Sequence, residues 1–233
     1  MKLPEMTVLV TGGASGIGHA LCEGFLADGA RVVAVDRSPQ GLIPLAEQGA
    51  VTLQLDVSDP AQVEGMVETA VDKTGRLDVL FNNAGIGYRS YLVKHQPDQF
   101  EELIRINLFG PVYGMRYAIP VMRSQNFGRI INLVSRSPEA AAKGMSAYGS
   151  SKAALWAATR HIANEVSDVD ILINGMIPGI TKSGMMPEGQ DPSKVYPTAR
   201  MLATLPAGGP SGKVFWDEKE YRMFEPDNEA YRQ

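Results

Sequence analysis

Cysteine is almost missing from this sequence: Cys22 is the only one among 233 residues. A single cysteine excludes an intrachain disulfide, so we expect a reducing compartment and interpret Cys22, which lies in an apolar helical pattern, as a buried thiol. Histidine is also scarce. His19, His95 and His161 are too far apart to match the spacing of metal ligands, so we expect no metal site.

A strong excess of one charge and long apolar runs are missing too. The net charge is −4 with no basic block, which argues against a nucleic-acid partner, and no apolar run is long enough to cross a membrane. Residues 1–5 lead straight into a predicted strand, so we expect no secretory signal. We therefore expect a cytoplasmic protein with no membrane partner.

Hydrophobic residues make up 44% of the chain, enough for a full core. Short β-branched runs predict buried strands at 7–10, 31–35, 51–55, 77–81, 129–134, 170–174 and 213–216. Helical periodicity predicts helices at 17–28, 59–73, 97–123 and 147–165, the third of them bent near Gly110-Pro111. Buried strands separated by helices predict an α/β fold, a doubly wound Rossmann-type parallel sheet of about seven strands in a single domain over 1–233.

Residues 178–212 are rich in Pro, Gly and Met and only weakly periodic. This composition suits a mobile flap over a site, and it suits an ordinary surface connection as well. We assign about 180–205 as a short substrate-loop region of the same domain.

A glycine-rich turn follows the first predicted strand and opens the first helix. Its sequence, Thr11-Gly12-Gly13-Ala14-Ser15-Gly16-Ile17-Gly18, has the spacing TGxxxGxG. The glycines permit a tight turn, and the free N–H groups of the helix N-terminus attract a pyrophosphate. We assign the cofactor phosphates to Thr11, Gly12, Ser15, Gly16, Ile17 and Gly18.

Asp36 closes the second predicted strand, eighteen positions after Gly18. A carboxylate there accepts hydrogen bonds from both ribose hydroxyls of an adenosine and repels a 2′-phosphate, which favours NAD over NADP. Its alternative role is that of an ordinary Asp in a strand-end turn. Arg37 complicates the choice, because a guanidinium beside the site can bind a 2′-phosphate; we nevertheless predict NAD as the cofactor.

A phenol and an ammonium lie four residues apart in Tyr148-Gly149-Ser150-Ser151-Lys152, on one face of a helix. A neighbouring cation favours the phenolate and lowers the tyrosine pKa toward neutrality, as a general acid/base requires. Taken alone, such a pair is also common on exposed helix surfaces.

Further motifs along the chain remove that ambiguity: Thr11 to Gly18, Asp56-Val57, Asn82-Asn83-Ala84-Gly85, Asn107, Ser135, Tyr148/Lys152 and Pro178-Gly179. With them the chain resembles the short-chain dehydrogenases/reductases over nearly its whole length. The resemblance implies that Tyr148 is the catalytic acid/base, that Lys152 lowers the Tyr148 pKa and binds the nicotinamide ribose, and that Ser135 holds the substrate oxygen. It also implies that Asn107 anchors a water between Lys152 and solvent.

The resemblance implies cofactor contacts in the loops that follow the strands. Asp56 and Val57 would flank the adenine, and Asn82 would tie neighbouring strand ends together. The other implied contacts are Asn83, Ala84, Gly85, Tyr148, Lys152, Pro178, Gly179, Thr181 and Ser183. The chain departs from the family at 217–220, which replaces the usual acidic-glycine ending, and in 184–205, which is short and favours an open pocket.

We expect the substrate to contact Arg136, Tyr88, Met145 and Met185. Arg136 either pairs with a substrate carboxylate or points into solvent, and the methionines either form an adaptable apolar wall or serve ordinary packing. The mixture suggests a modest-sized secondary alcohol or ketone, interconverted by hydride transfer. Two alternatives stay open: a catalytically silent NAD(H)-sensing protein on the same fold, and an epimerase or dehydratase of the same family.

Self-association is a further implication of the resemblance. The long helices of the family, here around 100–123 and 147–165, commonly pair across a two-fold axis, so we expect a homodimer or homotetramer. Small residues on the second helix permit close packing between subunits: Ala153, Ala154, Ala157, Ala158 and Ala163. A buried face within one subunit explains these alanines nearly as well.

Overall fold

A computed structural model describes residues 2–184 and 186–225 of the chain. The strands in this part span Thr7–Thr11 (β1), Arg31–Asp36 (β2), Val51–Gln54 (β3), Val79–Asn82 (β4), Gly128–Leu133 (β5), Ile171–Met176 (β6), Val214–Trp216 (β7) and Lys219–Glu220 (β8). They form one sheet in the order β3-β2-β1-β4-β5-β6-β7-β8, in which only β7 and β8 pair antiparallel. The predicted doubly wound parallel sheet is confirmed, with a two-residue eighth strand that the sequence analysis missed.

The helices cover both faces of this sheet. They span Gly16–Ala27 (α1), Ile43–Glu47 (α2), Pro60–Thr74 (α3), Pro97–Ile104 (α4), Gly110–Gln125 (α5), Ser137–Ala140 (α6), Ser146–Glu165 (α7) and Tyr196–Ala203 (α8), with 3-10 turns at Leu3–Glu5, Gln40–Leu42, Leu92–Lys94 and Pro192–Val195. Local signals set some bounds directly. Asp59 caps α3 by accepting the N–H of Ala61 at 2.9 Å, and Gly75 ends it in the left-handed conformation, φ 83°.

The core lies in two layers because successive strand residues point to opposite faces of the sheet. Val8 and Val10 pack with α1 and α8 on one face, whereas Leu9 packs with α3 and α5 on the other. Cys22 is fully buried in the first layer, and burial raises the pKa of its thiol to about 12. The predicted burial of this thiol is therefore confirmed.

The predicted long helix at 97–123 is one helical region, but it contains an irregular turn. Residues Arg105–Phe109 form a π-helical turn between α4 and α5. The predicted bend at Gly110-Pro111 thus lies at the end of this turn. A π-turn inside an α-helix often marks a functional position, and this one holds Asn107.

The Pro/Gly/Met-rich segment contains a helix that the sequence analysis did not predict. Helix α8 packs against α1 and β5, and the ring of Tyr196 lies directly over Gly24. Asp28 accepts hydrogen bonds from the Tyr196 hydroxyl at 2.7 Å and from Arg200 at 2.7 Å. The second half of the assigned substrate-loop region is therefore fixed to the body of the domain, at the C-terminal end of α1.

Candidate active site

A cavity of about 480 Å³ lies at the carboxyl ends of the parallel strands. It straddles β1 and β4, where the strand order reverses and where open α/β sheets bind ligands. Fifteen residues assigned from sequence line it: Gly12, Ser15, Gly16, Ile17, Asp36, Arg37, Asp56, Val57, Asn83, Ala84, Gly85, Tyr148, Lys152, Pro178 and Ser183. The cavity thus brings the predicted cofactor loops and the predicted catalytic pair together.

The loop after β1 is held close to the loop after β4. The Thr11 hydroxyl accepts the N–H groups of Asn83 and Ala84, both at 3.1 Å, and the Asn83 amide donates to the Thr11 carbonyl at 2.8 Å. Gly12 has a φ of 72°, and a Cβ there would lie 2.8 Å from the Asn83 amide nitrogen. Glycine at position 12 is therefore required by both conformation and space.

Two of the assigned phosphate-loop residues shape the loop without lining the cavity. Thr11 is buried and holds the two loops together through the bonds just described. Gly18 is buried in α1, and a Cβ there would collide with the Gly12 carbonyl. Both residues therefore stabilise the conformation of the glycine-rich loop.

The Asp36 carboxylate is fixed at the end of β2. One oxygen accepts the Ala14 N–H at 3.1 Å and the other accepts the Ser38 N–H at 2.9 Å. A carboxylate has about four lone-pair sites, so acceptor capacity remains on the side that faces the cavity. Arg37 also lines the cavity but is exposed.

Tyr148 and Lys152 line the cavity, and Ser135, which does not line it, lies beside Tyr148. The Lys152 ammonium lies 5.8 Å from the centre of the Tyr148 ring and donates to the Leu133 carbonyl at 2.7 Å. The Ser135 hydroxyl accepts the Ser137 N–H at 3.0 Å and is hydrogen-bonded to the Tyr148 phenol. The arrangement places two hydroxyl groups and a buried cation around one point.

The ionisation of this group differs from the sequence-based expectation. Burial raises the pKa of the Tyr148 phenol, and the Ser135 hydrogen bond only partly opposes that rise. Burial also lowers the pKa of Lys152 to about 8. The expected depression of the Tyr148 pKa by Lys152 is not what the structure shows, because loss of hydration disfavours both charged forms. Burial thus favours the neutral form of the Tyr148 phenol.

Asn107 is fully buried in the π-helical turn. Its side chain accepts the Ile86 N–H at 2.9 Å and donates to the Ile86 carbonyl at 2.8 Å, and it also donates to the Ser151 hydroxyl at 3.1 Å. A Cβ at Gly85 would lie 3.1 Å from the Asn107 oxygen and 3.7 Å from the Lys152 nitrogen. Glycine at position 85 therefore keeps the approach between Asn107 and Lys152 open.

The predicted tie between strand ends is present. The Asn82 amide donates to the Asn132 oxygen at 2.8 Å, and the Asn132 amide donates to the Thr159 hydroxyl at 2.9 Å. All three side chains are buried. This chain of bonds joins β4 and β5 to α7, the helix that carries Tyr148 and Lys152.

The loop after β6 contributes part of what was assigned to it. Pro178 and Ser183 line the cavity. Gly179 forms a left-handed turn with φ 70°, and the buried Thr181 hydroxyl donates to the Pro178 carbonyl at 2.7 Å. Gly179 and Thr181 therefore shape the loop instead of facing the cavity.

Of the four candidate substrate residues, the three that the structure describes make separate contacts. The Tyr88 hydroxyl donates to the Gln99 carbonyl at 2.6 Å, and Met145 lines a separate groove of about 450 Å³. The Arg136 guanidinium lies over the Trp216 ring at 4.8 Å. This stacking is an arrangement that the sequence analysis did not consider. Met185 lies outside the described residues.

Sequence reasoning missed several cavity residues. They are Leu55, Ile86, Gly87, Ile106, Leu133, Val134 and Gly184. Most lie one or two positions from an assigned motif, so adjacency to a motif was the available signal. Among the described residues no cluster of side chains is suited to a metal ion, and no helix is long and apolar enough to span a membrane.

Known proteins share both sequence and shape with this chain. A family model described as short chain dehydrogenase matches residues 6–193. The uncharacterized oxidoreductase YxjF of Bacillus subtilis is 36% identical over 75% of this chain and 70% of its own, and 3beta-hydroxysteroid dehydrogenase 2 of Eggerthella lenta is 34% identical over 82% and 77%. A crystal structure of 3-ketoacyl-(acyl-carrier-protein) reductase from Brucella melitensis, complexed with NADH, matches with a TM-score of 0.85 and 25% identity over 90% of this chain and 95% of that one.

Proposed function

The chain belongs to the short-chain dehydrogenase family, and we propose that it interconverts a secondary alcohol and a ketone by hydride transfer with NAD(H). The observation that supports this most strongly is that Tyr148 and Lys152 line the same cavity as the glycine-rich loop, with Ser135 hydrogen-bonded to Tyr148. Proton transfer and dinucleotide binding then take place at one site.

The residues present fit a dinucleotide. Gly12 and Gly16 have positive φ, 72° and 53°, and a Cβ on Gly12 would collide with Asn83 and Ala84 in the loop after β4. Ser15 is the N-cap of α1, and the first N–H groups of a helix lack intrahelical acceptors. A pyrophosphate supplies acceptors and negative charge at that point.

When bound, a nicotinamide cofactor supplies or accepts the hydride. The protein provides the proton: Tyr148, held neutral by burial, donates its phenolic proton to the carbonyl oxygen as the carbonyl carbon is reduced. Ser135 accepts the Ser137 N–H, so its own O–H is directed away from α6 and toward Tyr148 and the substrate oxygen. Lys152 places a buried cation beside the tyrosinate that forms.

We propose NAD(H) as the preferred cofactor. The Asp36 carboxylate is held at the cavity by two backbone N–H groups and would repel a 2′-phosphate. The bound NADH of the Brucella melitensis reductase supports this choice by likeness. Arg37 is the feature that opposes it, because it lines the same cavity.

NADH fluorescence binding followed by a ketone panel tests the proposal. The panel should contain cyclohexanones, aryl ketones, 3-ketosteroids and a 3-ketoacyl thioester, because the printed names of the relatives include a hydroxysteroid dehydrogenase and a ketoacyl reductase. We expect NADH to be consumed with at least one of them. Tight NADH binding without any consumption would indicate a cofactor sensor, and conversion of an alcohol without net change in NADH would indicate an epimerase or dehydratase.

Assembly as a homodimer or homotetramer and a cytoplasmic location stay predictions from the sequence. Ala163 is buried within the subunit, whereas Ala154 and Ala158 on α7 are partly exposed. Phe109, at the start of α5, is 44% exposed. Light scattering of the purified chain measures the oligomeric state directly.

A further inference from the structure

After β7 the chain turns back toward α6, the short helix that follows Ser135. β7 and β8 form a hairpin whose two loop residues, Asp217 and Glu218, are both left-handed, with φ 48° and 61°. This is the geometry of a tight two-residue hairpin turn. Beyond β8, the Tyr221 N–H donates to the Val214 carbonyl at 2.8 Å. The sequence that departs from the family ending thus directs 221–224 onto α6.

Glu139 on α6 receives this segment. Its side chain is buried, and its carboxylate accepts the Tyr221 hydroxyl at 2.8 Å and the Phe224 N–H at 2.6 Å. Removing one partner of a buried, hydrogen-bonded charge is strongly unfavourable. We call Glu139, Tyr221 and Phe224 the C-terminal clasp.

A second set of contacts joins the chain from β7 onward to the N-terminal end of α6. Arg136, the residue before the helix, stacks on Trp216 at 4.8 Å. The Trp216 ring in turn meets the Tyr221 ring edge-on at 5.8 Å. Met223 is buried with Val134, the residue before Ser135. Both ends of α6 are therefore attached to the C-terminal segment.

Helix α6 has four residues, and a helix this short is not stable without tertiary contacts. Its first N–H, that of Ser137, donates to the Ser135 hydroxyl oxygen at 3.0 Å. That bond prevents the Ser135 hydrogen from pointing at α6 and leaves it free to point toward Tyr148. The contacts that hold α6 therefore also set the direction of the Ser135 hydroxyl.

We propose that Tyr221 and Glu139 are positioning residues, which orient the Ser135 hydroxyl toward the substrate oxygen through α6. This inference rests on the proposed function for its kinetic consequence. Both side chains act on Ser135 only through α6 and bond to neither Tyr148 nor Lys152, so they are positioning residues and not catalytic ones.

A double-mutant cycle tests the coupling. Tyr221→Phe removes the hydroxyl and keeps the ring, and we expect kcat/KM for the best ketone of the panel to fall about tenfold, within the range for residues of one hydrogen-bond network. NADH affinity should not change. In a Ser135→Ala background the same substitution should lower kcat/KM only slightly, because no Ser135 hydroxyl is left to orient. An undiminished loss in that background would mean that Tyr221 acts by another route and would overturn the proposal.

Tyr196→Phe is the matched control. It also removes a tyrosine hydroxyl bonded to a carboxylate at 2.7 Å, that of Asp28, but it lies at α8 and has no contact with α6. Because the hydroxyl that is removed bonds only to Asp28 at the end of α1, we expect this variant to lower the melting temperature without lowering kcat/KM. An equal loss of kcat/KM in both variants would show a general effect of stability and refute a positioning role.

Hydrogen exchange tests the clasp without any substrate. The amides of Glu139, Ala140 and Ala141 are bonded within the turn, and we expect them to exchange faster in Tyr221→Phe than in wild type or Tyr196→Phe, while β6 stays protected. Unchanged exchange at 137–141 would overturn the clasp. If no ketone is consumed but exchange accelerates, the proposed function fails and the clasp stands.

Discussion

Replacing Asp36 tests the assignment of cofactor preference. Its two oxygens each accept one backbone N–H, from Ala14 at 3.1 Å and from Ser38 at 2.9 Å, and each has a lone pair left. Those lone pairs can accept the two ribose hydroxyls of NAD. Asp36→Ala removes both interactions and also removes the negative charge that a 2′-phosphate would meet.

The size of the effect follows from the number of bonds. A hydrogen bond to a charged group contributes about 1.5–3 kcal/mol, so two sum to about 3–6 kcal/mol, and the partial exposure of Asp36 lowers their contribution to the bottom of that range or below it. We therefore expect a loss of NADH affinity of about 2–3 kcal/mol, roughly 30- to 150-fold. NADPH affinity should rise or stay constant, because repulsion of the 2′-phosphate disappears.

Fluorescence titration of NADH and NADPH against three proteins measures this. Wild type should prefer NADH, and Asp36→Ala should lose or reverse that preference. Asp36→Asn keeps an acceptor for the loop but not the charge, and it should lie between them. The reasoning is refuted if wild type binds NADPH more tightly than NADH, and Arg37→Ala would then show whether Arg37 is responsible.

Two further perturbations test the energetics of the fold. Burial lowers the pKa of Lys152 from its ordinary 10.5 to about 8, so the unfolded chain binds more protons between these values and stability rises with pH there. The free energy of unfolding of Lys152→Met should therefore exceed that of wild type by up to about 3 kcal/mol at pH 7. Urea denaturation should show this difference disappearing between pH 8 and 10.5. A difference that does not change with pH would contradict the burial argument. A Cβ at Gly24 collides with the Tyr196 ring, so Gly24→Ala should destabilise by about 1–3 kcal/mol. The matched Gly65→Ala, in α3 with no atom within 4 Å, should stabilise by up to about 1 kcal/mol; a gain in both variants would mean that α8 shifts freely.

Much of the fold followed from local patterns. Strands buried on both faces appear as continuous β-branched runs, such as Arg31–Asp36, and their bounds were predicted within two residues. The cofactor loops lie beside strand ends in sequence, so the parallel order brings them together without further information. Motif residues therefore located the cavity.

The features that were missed depend on distant partners. Helix α8 has weak periodicity of its own and is held by Asp28 and Gly24, about 170 residues earlier. The π-helical turn around Asn107 is one extra residue in a helical repeat, which leaves no compositional trace. Arg136 was assigned to substrate or solvent because its partner, Trp216, is eighty positions away. The sequence analysis assigned the pKa of Tyr148 from its neighbour Lys152 alone. Burial, which depends on the whole fold, raises that pKa.

Turnover by Tyr148→Phe tests the central claim most directly. The substitution removes the phenolic proton and keeps the ring, so we expect kcat for ketone reduction to fall at least 10²-fold, a common value for loss of a general acid, while NADH affinity stays within about twofold. Tyr196→Phe serves as the control, since its hydroxyl is bonded to Asp28. Near-wild-type turnover by Tyr148→Phe would contradict the claim that this phenol donates the proton.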